Sequence, residues 1–331
     1  MKHTVLAVLF ATAIAAPAYA ENAICYNCPP EWADWASMLK ALDEKVDVQM
    51  PHDNKNSGQT LSQLIAEKAS PVADVAYYGV TTGIAAIPEG VVQPYKPAGF
   101  DEIPDGLKDP EGNWFAVHYG TLGMFVNVDA LAGAPVPQCW ADLTKPEYKG
   151  MVGYLDPASA FVGYAGAVAV NHAFGGDLTN FDPAIKYFND LAANSPIVPK
   201  QTSFARVVSG EIPILFDYDF NAYRAKYNET GNFEFVLPCE GTIRVPYVMS
   251  LVAGAPNAEA GKKALDFILS DEGQAIWTNA YLKPARPVAL PAEVAARFLP
   301  DSEYARAIAV DYAAMAAAQK GFGERYLADV K

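Results

Sequence analysis

The fold is decided by residues 46–78, VDVQMPHDNKNSGQTLSQLIAEKASPVADVAYY, in which one helical pattern lies between two strand patterns. Residues 46–50 alternate apolar and polar side chains and residues 74–78 are almost wholly apolar, so both stretches predict strands. Residues 58–69 have the apolar spacing of a helix and follow a polar loop, residues 52–57. Two strands joined through a helix favour a parallel sheet that helices cover.

The same rhythm extends outward from this stretch. Towards the N-terminus, residues 23–26 predict a strand and residues 30–42 predict a helix. Pro30 suits the first turn of that helix, and the acidic Glu31 and Asp34 suit its positive end. Towards the C-terminus, residues 88–110 are Pro-rich and predict an irregular connection.

Two crossings then divide the chain into two lobes. Segments 114–119 and 122–128 are extended and apolar, with Gly120 and Thr121 between them, and predict a passage into a second α/β series. Residues 240–246 predict the return. The further predicted elements are strands at 151–154, 212–216, 233–237 and 248–253, helices at 157–172, 183–191, 218–227, 258–269 and 272–281, and a helical tail at 302–330 that packs on the second lobe.

The length of 331 residues also favours two domains, since it exceeds what one core usually serves. We therefore expect an α/β fold with a first lobe formed by residues 21–120 plus 242–290. The second lobe is expected to contain residues 121–241 plus 291–331.

Residues 1–20 have the pattern of a cleaved export signal. Lys2 gives a positive start, residues 4–16 are apolar, and Ala18-Tyr19-Ala20 fits the small-x-small cleavage rule. An uncleaved membrane anchor is the alternative, although the apolar run is short for a bilayer span. The pattern predicts a periplasmic protein.

The charge and the cysteines agree with export. A formal net charge of −14 disfavours nucleic acid and anionic membranes as partners. Four cysteines in an oxidising compartment predict two disulfides. We favour Cys25–Cys28 with Cys139–Cys239, and the sequence leaves the other two connectivities open.

Five stretches in a fixed order carry a family resemblance. They are NSGQ at 56–59, PQCWADLTKPEYK at 137–149, SGEIP at 209–213, PYVMSLVAGAP at 246–256 and ALDFILSDEGQ at 264–274. With them, the chain resembles the extracellular solute-binding proteins of ATP-driven importers. Within these it is similar to the branch that includes ferric-ion, thiamine, polyamine, hexose-phosphate and aminoethylphosphonate binders.

The resemblance implies two α/β lobes that close over a small molecule and present it to a membrane permease. It implies a type II periplasmic binding fold, most simply as a monomer, with no catalytic residues, no cofactor and no metal. The chain departs from the ferric-ion members at residues 216–223, FDYDFNAY. Asp219-Phe220 stands where those members carry adjacent tyrosines, so iron is disfavoured as the cargo.

Candidate ligand contacts follow from the rule that ligands sit beyond the carboxyl ends of strands, where helices begin. The loop at Ser57 offers free backbone N–H groups and hydroxyls for an anion, with an ordinary helix cap as the alternative. Asp156 either binds ligand or caps the next helix. Asp217 either holds an ammonium beside aromatic rings or starts a solvated helix. The full candidate set is Tyr26, Asn27, Asn56, Ser57, Gly58, Gln59, Tyr78, His118, Asp156, Ser159, Asp217, Tyr218, Asn221, Glu240 and Tyr247.

An anion cradle together with carboxylates and aromatic rings predicts a zwitterionic ligand, with 2-aminoethylphosphonate as the example and a polyamine as the alternative. The strongest enzyme alternative is a thiol oxidoreductase that uses Cys25 and Cys28. The sequence has no nucleophile motif for a hydrolase and no spaced cluster of metal ligands.

Overall fold

The computed structural model describes residues 21–30, 32–199 and 203–330. The predicted export signal, residues 1–20, and Glu31 lie outside the described residues. Among the residues that are described, no helix is both long enough and apolar enough to cross a membrane.

The described chain alternates short strands with helices, as the rhythm of the sequence predicts. Its strands are β1 Glu21–Asn22, β2 Cys25–Tyr26, β3 Val48–Gln49, β4 Val75–Gly79, β5 Val92–Gln93, β6 Phe115–Asn127, β7 Val152–Gly153, β8 Ile214–Tyr218, β9 Phe233–Val236, β10 Thr242–Val252, β11 Lys283–Pro284 and β12 Ala307–Ile308. Its helices are α1 Trp35–Val46, α2 Ser57–Ala66, α3 Val80–Glu89, α4 Phe161–Ala173, α5 Asp182–Ala192, α6 Phe204–Val208, α7 Asp219–Asn228, α8 Ala258–Leu269, α9 Asp271–Ile276, α10 Ala292–Ala295, α11 Asp301–Tyr304 and α12 Tyr312–Asp329.

The long strands β6 and β10 are the centre of the sheet, whose order is β2-β4-β10-β6-β8-β7. They pair antiparallel with each other, β4 pairs with β10, and β8 and β9 pair with the second half of β6. The parallel pairs β2–β4 and β7–β8 lie on opposite sides of this central pair. The fold class is therefore mixed α/β, as predicted, with two groups of strands that share β6 and β10.

Both predicted crossings are continuous strands, which corrects the sequence prediction. Segments 114–119 and 122–128 form one 13-residue strand, and Gly120 lies within it rather than at a break. The glycine is needed for packing, because a Cβ there would lie 2.6 Å from the ring of Phe220. Likewise, residues 240–246 were predicted as a connection, but β10 begins at Thr242 and runs unbroken to Val252.

Several helices differ from prediction. Helix α1 covers Trp35–Val46 rather than residues 30–42. Helix α3 follows β4 directly, with Gly79 as its N-cap, and the sequence analysis does not predict it. Pro88, the predicted start of an irregular connection, lies inside the last turn of this helix. Helix α4 begins at Phe161 rather than at residue 157. Asp156 forms a turn instead: its Oδ1 accepts the N–H of Ala158. Asp156 is thus not the cap of the long helix, since its side chain and carbonyl satisfy nearby amides before the helix starts.

The C-terminal tail is only partly a single helix. α11 ends at Tyr304, β12 adds a parallel strand beside β10, and α12 follows. The Tyr164 hydroxyl on α4 donates to the Met315 carbonyl on α12. Helix α12 also packs against α3, so it contacts elements of both predicted lobes rather than the second lobe alone.

The two disulfides have the predicted pairing, Cys25–Cys28 and Cys139–Cys239. The first spans a sequence separation of 3 and is fully buried beside β4. The second spans a separation of 100 and joins the start of a short 3₁₀ helix to the loop before β10. A crosslink restricts the unfolded chain more when the loop it closes is longer.

Replacing Cys139 and Cys239 together by Ser is expected to lower the free energy of unfolding by about 2–5 kcal/mol. The matched control, Cys25 and Cys28 both changed to Ser, should cost less because it opens a much shorter loop. Urea denaturation of both double variants measures the difference. The loop-length argument is wrong for this chain if the short crosslink proves the more stabilising one.

Candidate functional site

One row of residues crosses the middle of the sheet. Gly79 on β4 is paired with Tyr247 on β10, and Tyr247 is paired with His118 on β6. The rings of Tyr247 and His118 stack with centroids 5.4 Å apart. The row therefore brings the end of β4, where α3 begins, beside the two strands that both groups of the sheet share.

An aromatic cluster covers this row. We define it as Trp32, Tyr77, His118, Tyr218, Phe220 and Tyr247. The Trp32 ring lies 5.4 Å from Phe220 and 5.7 Å from Tyr247, and Tyr77 stacks on Tyr247 at 5.6 Å. Trp32 precedes α1 whereas Phe220 is in the first turn of α7, so rings from both halves of the chain meet here. Burial and the neighbouring Tyr247 raise the pKa of Tyr218, which stays neutral.

A chain of hydrogen bonds fixes three members of the aromatic cluster. The Trp32 Nε1–H donates to the Tyr77 hydroxyl over 2.9 Å, and that hydroxyl lies 2.7 Å from Nε2 of His118. Burial lowers the pKa of His118 to about 3, so the imidazole is neutral at physiological pH. The Tyr77 hydroxyl thus bridges the indole N–H of Trp32 and Nε2 of His118, and the tautomer of His118 sets which of the two atoms donates in the second bond. Nδ1 of His118 has no hydrogen-bond partner in the described part of the chain.

Asp217 is a buried carboxylate at the end of β8. Its Oδ1 accepts the N–H of Tyr218 and its Oδ2 accepts from Asn221 Nδ2 at 3.0 Å. Burial raises the pKa of Asp217 to about 7, and the nearby Asp219 adds to the rise. The carboxyl group is thus poised between its two protonation states at neutral pH, and a nearby cation would favour the ionised state.

Asp219 has a different role. Its Oδ1 accepts the backbone N–H groups of Thr121 and Phe220, and its Oδ2 accepts from the Tyr304 hydroxyl. Burial raises its pKa to about 6. These contacts tie the start of α7 to β6 and to the C-terminal segment, so Asp219 is a structural carboxylate.

Three helices begin at one corner of the row. Asn56 caps α2 in a reciprocal capping box with Gln59, so Asn56 is the cap and Ser57 is free to bond elsewhere. The Ser57 Oγ accepts the N–H of Gly79, where α3 begins. The Phe161 ring at the start of α4 packs directly on Gly79. We call Ser57, Gly79 and Phe161 the helix corner.

The helix corner suits an anion. Neither α3 nor α4 has a side chain that caps its first turn. The first N–H groups of a helix have no partner within the helix, and their dipoles favour negative charge. Two uncapped helix starts and one Ser hydroxyl therefore offer hydrogen-bond donors to an oxyanion beside the aromatic cluster.

A cavity of about 290 Å³ opens at the edge of the aromatic cluster. Trp32, Phe220 and Asn221 line its inner wall, and the charged Asp34 and Arg224 lie at its rim. Its volume is that of a small solute, and its walls come from the segment before α1, from α7 and from the segment after α9.

The remaining sequence candidates lie elsewhere or have other partners. The Tyr26 hydroxyl donates to Glu67 and accepts from Gln63, and burial together with Glu67 raises its pKa to about 12. Asn27 holds the Tyr77 carbonyl through its side-chain amide, next to the cluster. Gly58, Gln59 and Ser159 are solvent-exposed.

Tyr78 and Glu240 are not brought to the aromatic cluster. The Tyr78 hydroxyl donates to Ser250 in the core, and its neighbour Tyr77 faces the cluster instead. The two carboxylate oxygens of Glu240 accept the N–H groups of Trp140 and Ala141, beside the Cys139–Cys239 disulfide. Glu240 therefore caps a 3₁₀ helix, and the prediction that placed it in the cleft from its position near a crossing is corrected.

Trp32, Phe220 and Gly79 were missed as site residues. The predicted helix at residues 30–42 would place Trp32 on its apolar face, but the helix begins at Trp35 and Trp32 precedes it. Tyr78 was the predicted member of the adjacent pair, but Tyr77 is the one that faces the cluster. A Gly that directly follows an apolar strand and precedes Val-Thr-Thr was the available signal for the start of α3.

Comparison with known proteins gives one consistent match. The family model "Bacterial extracellular solute-binding protein" matches residues 70–316. An uncharacterized protein of Haemophilus influenzae is 32% identical over 276 residues, covering 79% of this chain and 77% of its own. The "Putative 2-aminoethylphosphonate-binding periplasmic protein" of Salmonella typhi is 26% identical over 83% of this chain and 82% of its own.

Solved structures agree in fold. AfuA of Actinobacillus pleuropneumoniae, a periplasmic binding protein solved with fructose-6-phosphate, aligns with TM-score 0.78 and 25% identity over 93% of this chain and 98% of its own. Iron-bound HitA of Pseudomonas aeruginosa aligns with TM-score 0.76 and 18% identity over 92% and 99% of the two chains. The fold is that of the periplasmic binding proteins.

Changing Tyr77 to Phe is expected to lower the free energy of unfolding by about 1–3 kcal/mol, because the buried Trp32 and His118 nitrogens lose their shared partner. The indole N–H resonance of Trp32 should shift in the NMR spectrum. The matched control, Tyr78→Phe, breaks only the bond to Ser250 and should leave that resonance in place. Equal shifts in the two variants would contradict the hydrogen-bond chain.

Proposed function

Because the chain belongs to the bacterial extracellular solute-binding protein family, we propose that its cargo is a small amine that bears a phosphonate or phosphate group, such as 2-aminoethylphosphonate. The protein is the periplasmic substrate-binding component of an ABC transporter, a transport component that captures a solute and delivers it to the permease. The observation that carries the choice of cargo is the position of Tyr247: it is paired with Gly79 of the helix corner, it belongs to the aromatic cluster, and Asp217 is near enough to raise its pKa.

The anionic end of the ligand is proposed to bind at the helix corner. A phosphonate has three oxygens that accept hydrogen bonds, which matches N–H groups from two uncapped helix starts together with Ser57. Each exposed helix start stabilises an anion by about 0.3–1 kcal/mol, and more when the site excludes water. Gly79 is favourable there because a side chain would meet the ring of Phe161.

The ammonium end is proposed to lie against the aromatic cluster and Asp217. The cluster presents tyrosine and tryptophan rings, whose faces attract cations. Among the described residues, Asp217 and Asp219 are the buried carboxylates next to the cluster. Asp219 joins separate segments of the chain, whereas within the described chain Asp217 bonds only Tyr218 and Asn221, close by in sequence. Asn221 fixes its orientation.

The relatives support a phosphorus-bearing ligand. The Salmonella protein carries 2-aminoethylphosphonate in its name, and the AfuA structure holds a sugar phosphate. A polyamine is the second candidate, favoured by the buried Asp217 and by Asp34, which lines the cavity. A thiol oxidoreductase is not supported, because Cys25 and Cys28 are buried in a disulfide and no comparison points to that class.

The lobe division is part of the same proposal. We propose that residues 21–120 with 242–290, and residues 121–241 with 291–331, move relative to each other about β6 and β10. The ring contact between Trp32 and Phe220 would then open and close with the ligand. The protein is proposed to work as a monomer.

Isothermal titration calorimetry of the exported protein tests the cargo. 2-Aminoethylphosphonate is expected to bind with a dissociation constant in the micromolar range or tighter, about −8 kcal/mol or better. Ethylphosphonate, which lacks the amine, and putrescine, which lacks the anion, should each bind at least about tenfold more weakly. Tight binding of putrescine without response to 2-aminoethylphosphonate would replace the proposal with the polyamine alternative.

Ser57→Ala tests the helix corner. The loss of its hydroxyl should weaken binding of 2-aminoethylphosphonate by about 1 kcal/mol, or roughly fivefold. The control is Ser62→Ala on the same helix, whose hydroxyl bonds the Gly58 carbonyl and lies outside the corner. If both variants bind as the wild type does, the anion does not use this helix start.

Asp217→Asn should change binding and stability in opposite directions. The ammonium needs the ionised carboxylate, so wild-type affinity should fall by up to about tenfold for each pH unit below 7, and the variant should bind weakly at every pH. The raised pKa means that stability from the protonated form is lost as pH rises through about 7.

The Asp217→Asn variant has no buried carboxylate to ionise, so at pH 8 its melting temperature should exceed that of the wild type by about 2–4 °C. Asp190→Asn, at an exposed pair with Lys186, is the matched control and should change neither quantity. A destabilised Asp217→Asn protein with unchanged affinity would show that Asp217 is structural.

A further inference from the structure

A second cavity of about 770 Å³ lies on the opposite face of β6 and β10 from the aromatic cluster. Neighbouring residues on a strand point to opposite faces. His118 faces the cluster, so Tyr119 faces the other way, and Arg244 is on the same side as Tyr119, 6.0 Å from its ring. We call this the hinge-face cavity. Its outer wall is formed by residues 287–301.

The hinge-face cavity is lined by three cations and one acid. Arg286 is committed: it pairs with Glu102 and Asp271 and donates to the Leu269 carbonyl. Lys283 and Arg244 remain. The acid is Asp301, which lies on the rim with its side chain 99% exposed.

Lys283 is incompletely neutralised. Its Nζ lies 3.3 Å from Asp301 Oδ1, an exposed partner that water and salt screen. It also lies over the Tyr304 ring at 3.5 Å, and burial lowers its pKa although Asp219 and Asp301 attract the charge. The positive charge of Arg244 is close enough to repel that of Lys283, which lowers the pKa of Lys283 further.

Arg244 has no carboxylate partner. Its Nε donates to the Ala307 carbonyl over 2.9 Å, and among the described residues it takes part in no salt bridge. The two remaining guanidinium nitrogens of Arg244 and the hydroxyl of Tyr119 make no hydrogen bond to any described residue. Two like charges held together with spare donors are a favourable place for an anion, which would relieve their repulsion and accept from both.

We propose that the hinge-face cavity binds a small oxyanion of the phosphate class between Arg244 and Lys283, at a site separate from the cleft. The guanidinium presents a planar pair of donors that matches two oxygens of a tetrahedral anion, and Lys283 supplies a point charge to a third. Tyr119 is placed to donate to the same anion.

The site would connect parts of the chain that move when the lobes close. Arg244 is on β10, Tyr119 is on β6, and Lys283 is on β11, which pairs with β6. The opposite wall is the segment that ends at Asp301. An anion held by these residues stabilises one arrangement of the central strands against the C-terminal segment. Its effect on the cleft is reciprocal with the effect of the cleft ligand on the anion.

Calorimetric titration with inorganic phosphate, in a buffer without oxyanions, tests the proposal. The exported wild-type protein should bind phosphate, and sulfate should compete for the same site. Arg244→Gln and Lys283→Gln should each weaken the binding at least about tenfold. The control Arg206→Gln removes an equal charge at an exposed pair with Glu211 and should have no effect. Melting temperatures confirm that each variant is folded, and Arg244→Lys should restore part of the affinity.

The cleft must be separated from the hinge face, because inorganic phosphate also resembles part of the proposed cargo. Phosphate binding that survives Arg244→Gln and Lys283→Gln but is lost in Ser57→Ala would place the anion in the cleft and overturn the inference. So would complete displacement of phosphate by saturating 2-aminoethylphosphonate, or no heat with up to about 10 mM phosphate. If 2-aminoethylphosphonate fails to bind while phosphate binding depends on Arg244, the cargo proposal fails and the hinge-face site stands.

Discussion

The pairing of β6 with β10 is the constraint on which the rest of the structure depends. It holds His118 opposite Tyr247 and Tyr119 opposite Pro246, so one strand pair presents aromatic groups on one face and a basic cavity on the other. Backbone hydrogen bonds fix this register, and a slip by one residue would exchange the two faces. The packing of Phe220 against Gly120 adds to the constraint, because any larger residue there would push α7 away from the strands.

The cluster face contains buried polar groups whose burial costs free energy unless a further partner binds them. A buried polar group with no partner costs about 1–3 kcal/mol, and within the described residues Nδ1 of His118 is such a group. Asp217 is buried deeply enough for its pKa to rise to about 7. Asp219 is equally buried but accepts two backbone N–H groups and a tyrosine hydroxyl, and its pKa rises less, to about 6. The hydrogen bonds of Asp219 join α7 to β6 and to the C-terminal segment, whereas those of Asp217 stay within residues 217–221.

The sequence predicted the features that depend on local pattern. The alternation of strands and helices, the Cys25–Cys28 disulfide and the position of Ser57 where a helix begins follow from short-range rules, and the structure has all of them. The Cys139–Cys239 pairing was the favoured one of the connectivities left open, and the structure has it. Features that depend on the register between distant strands were not predictable. Whether Tyr77 or Tyr78 faces the cluster is set by the pairing of β4 with β10. Glu240 lies near a crossing in sequence, but two amides of a distant 3₁₀ helix bind its side chain.

The acidity of the chain bears on which ligand this site can select. With a formal net charge of −14, the protein repels a free anion at long range, although salt limits that repulsion to about 8–10 Å. A zwitterion has an ammonium that offsets part of its anionic charge, so it approaches at a smaller cost. In the proposed complex, the helix starts would provide partial positive charge without a basic side chain, and Asp217 would distinguish a ligand that carries the amine from one that does not. Under the proposed function, discrimination against a bare phosphate would therefore come from the buried carboxylate, which a ligand without a cation leaves unpaired and costly to ionise.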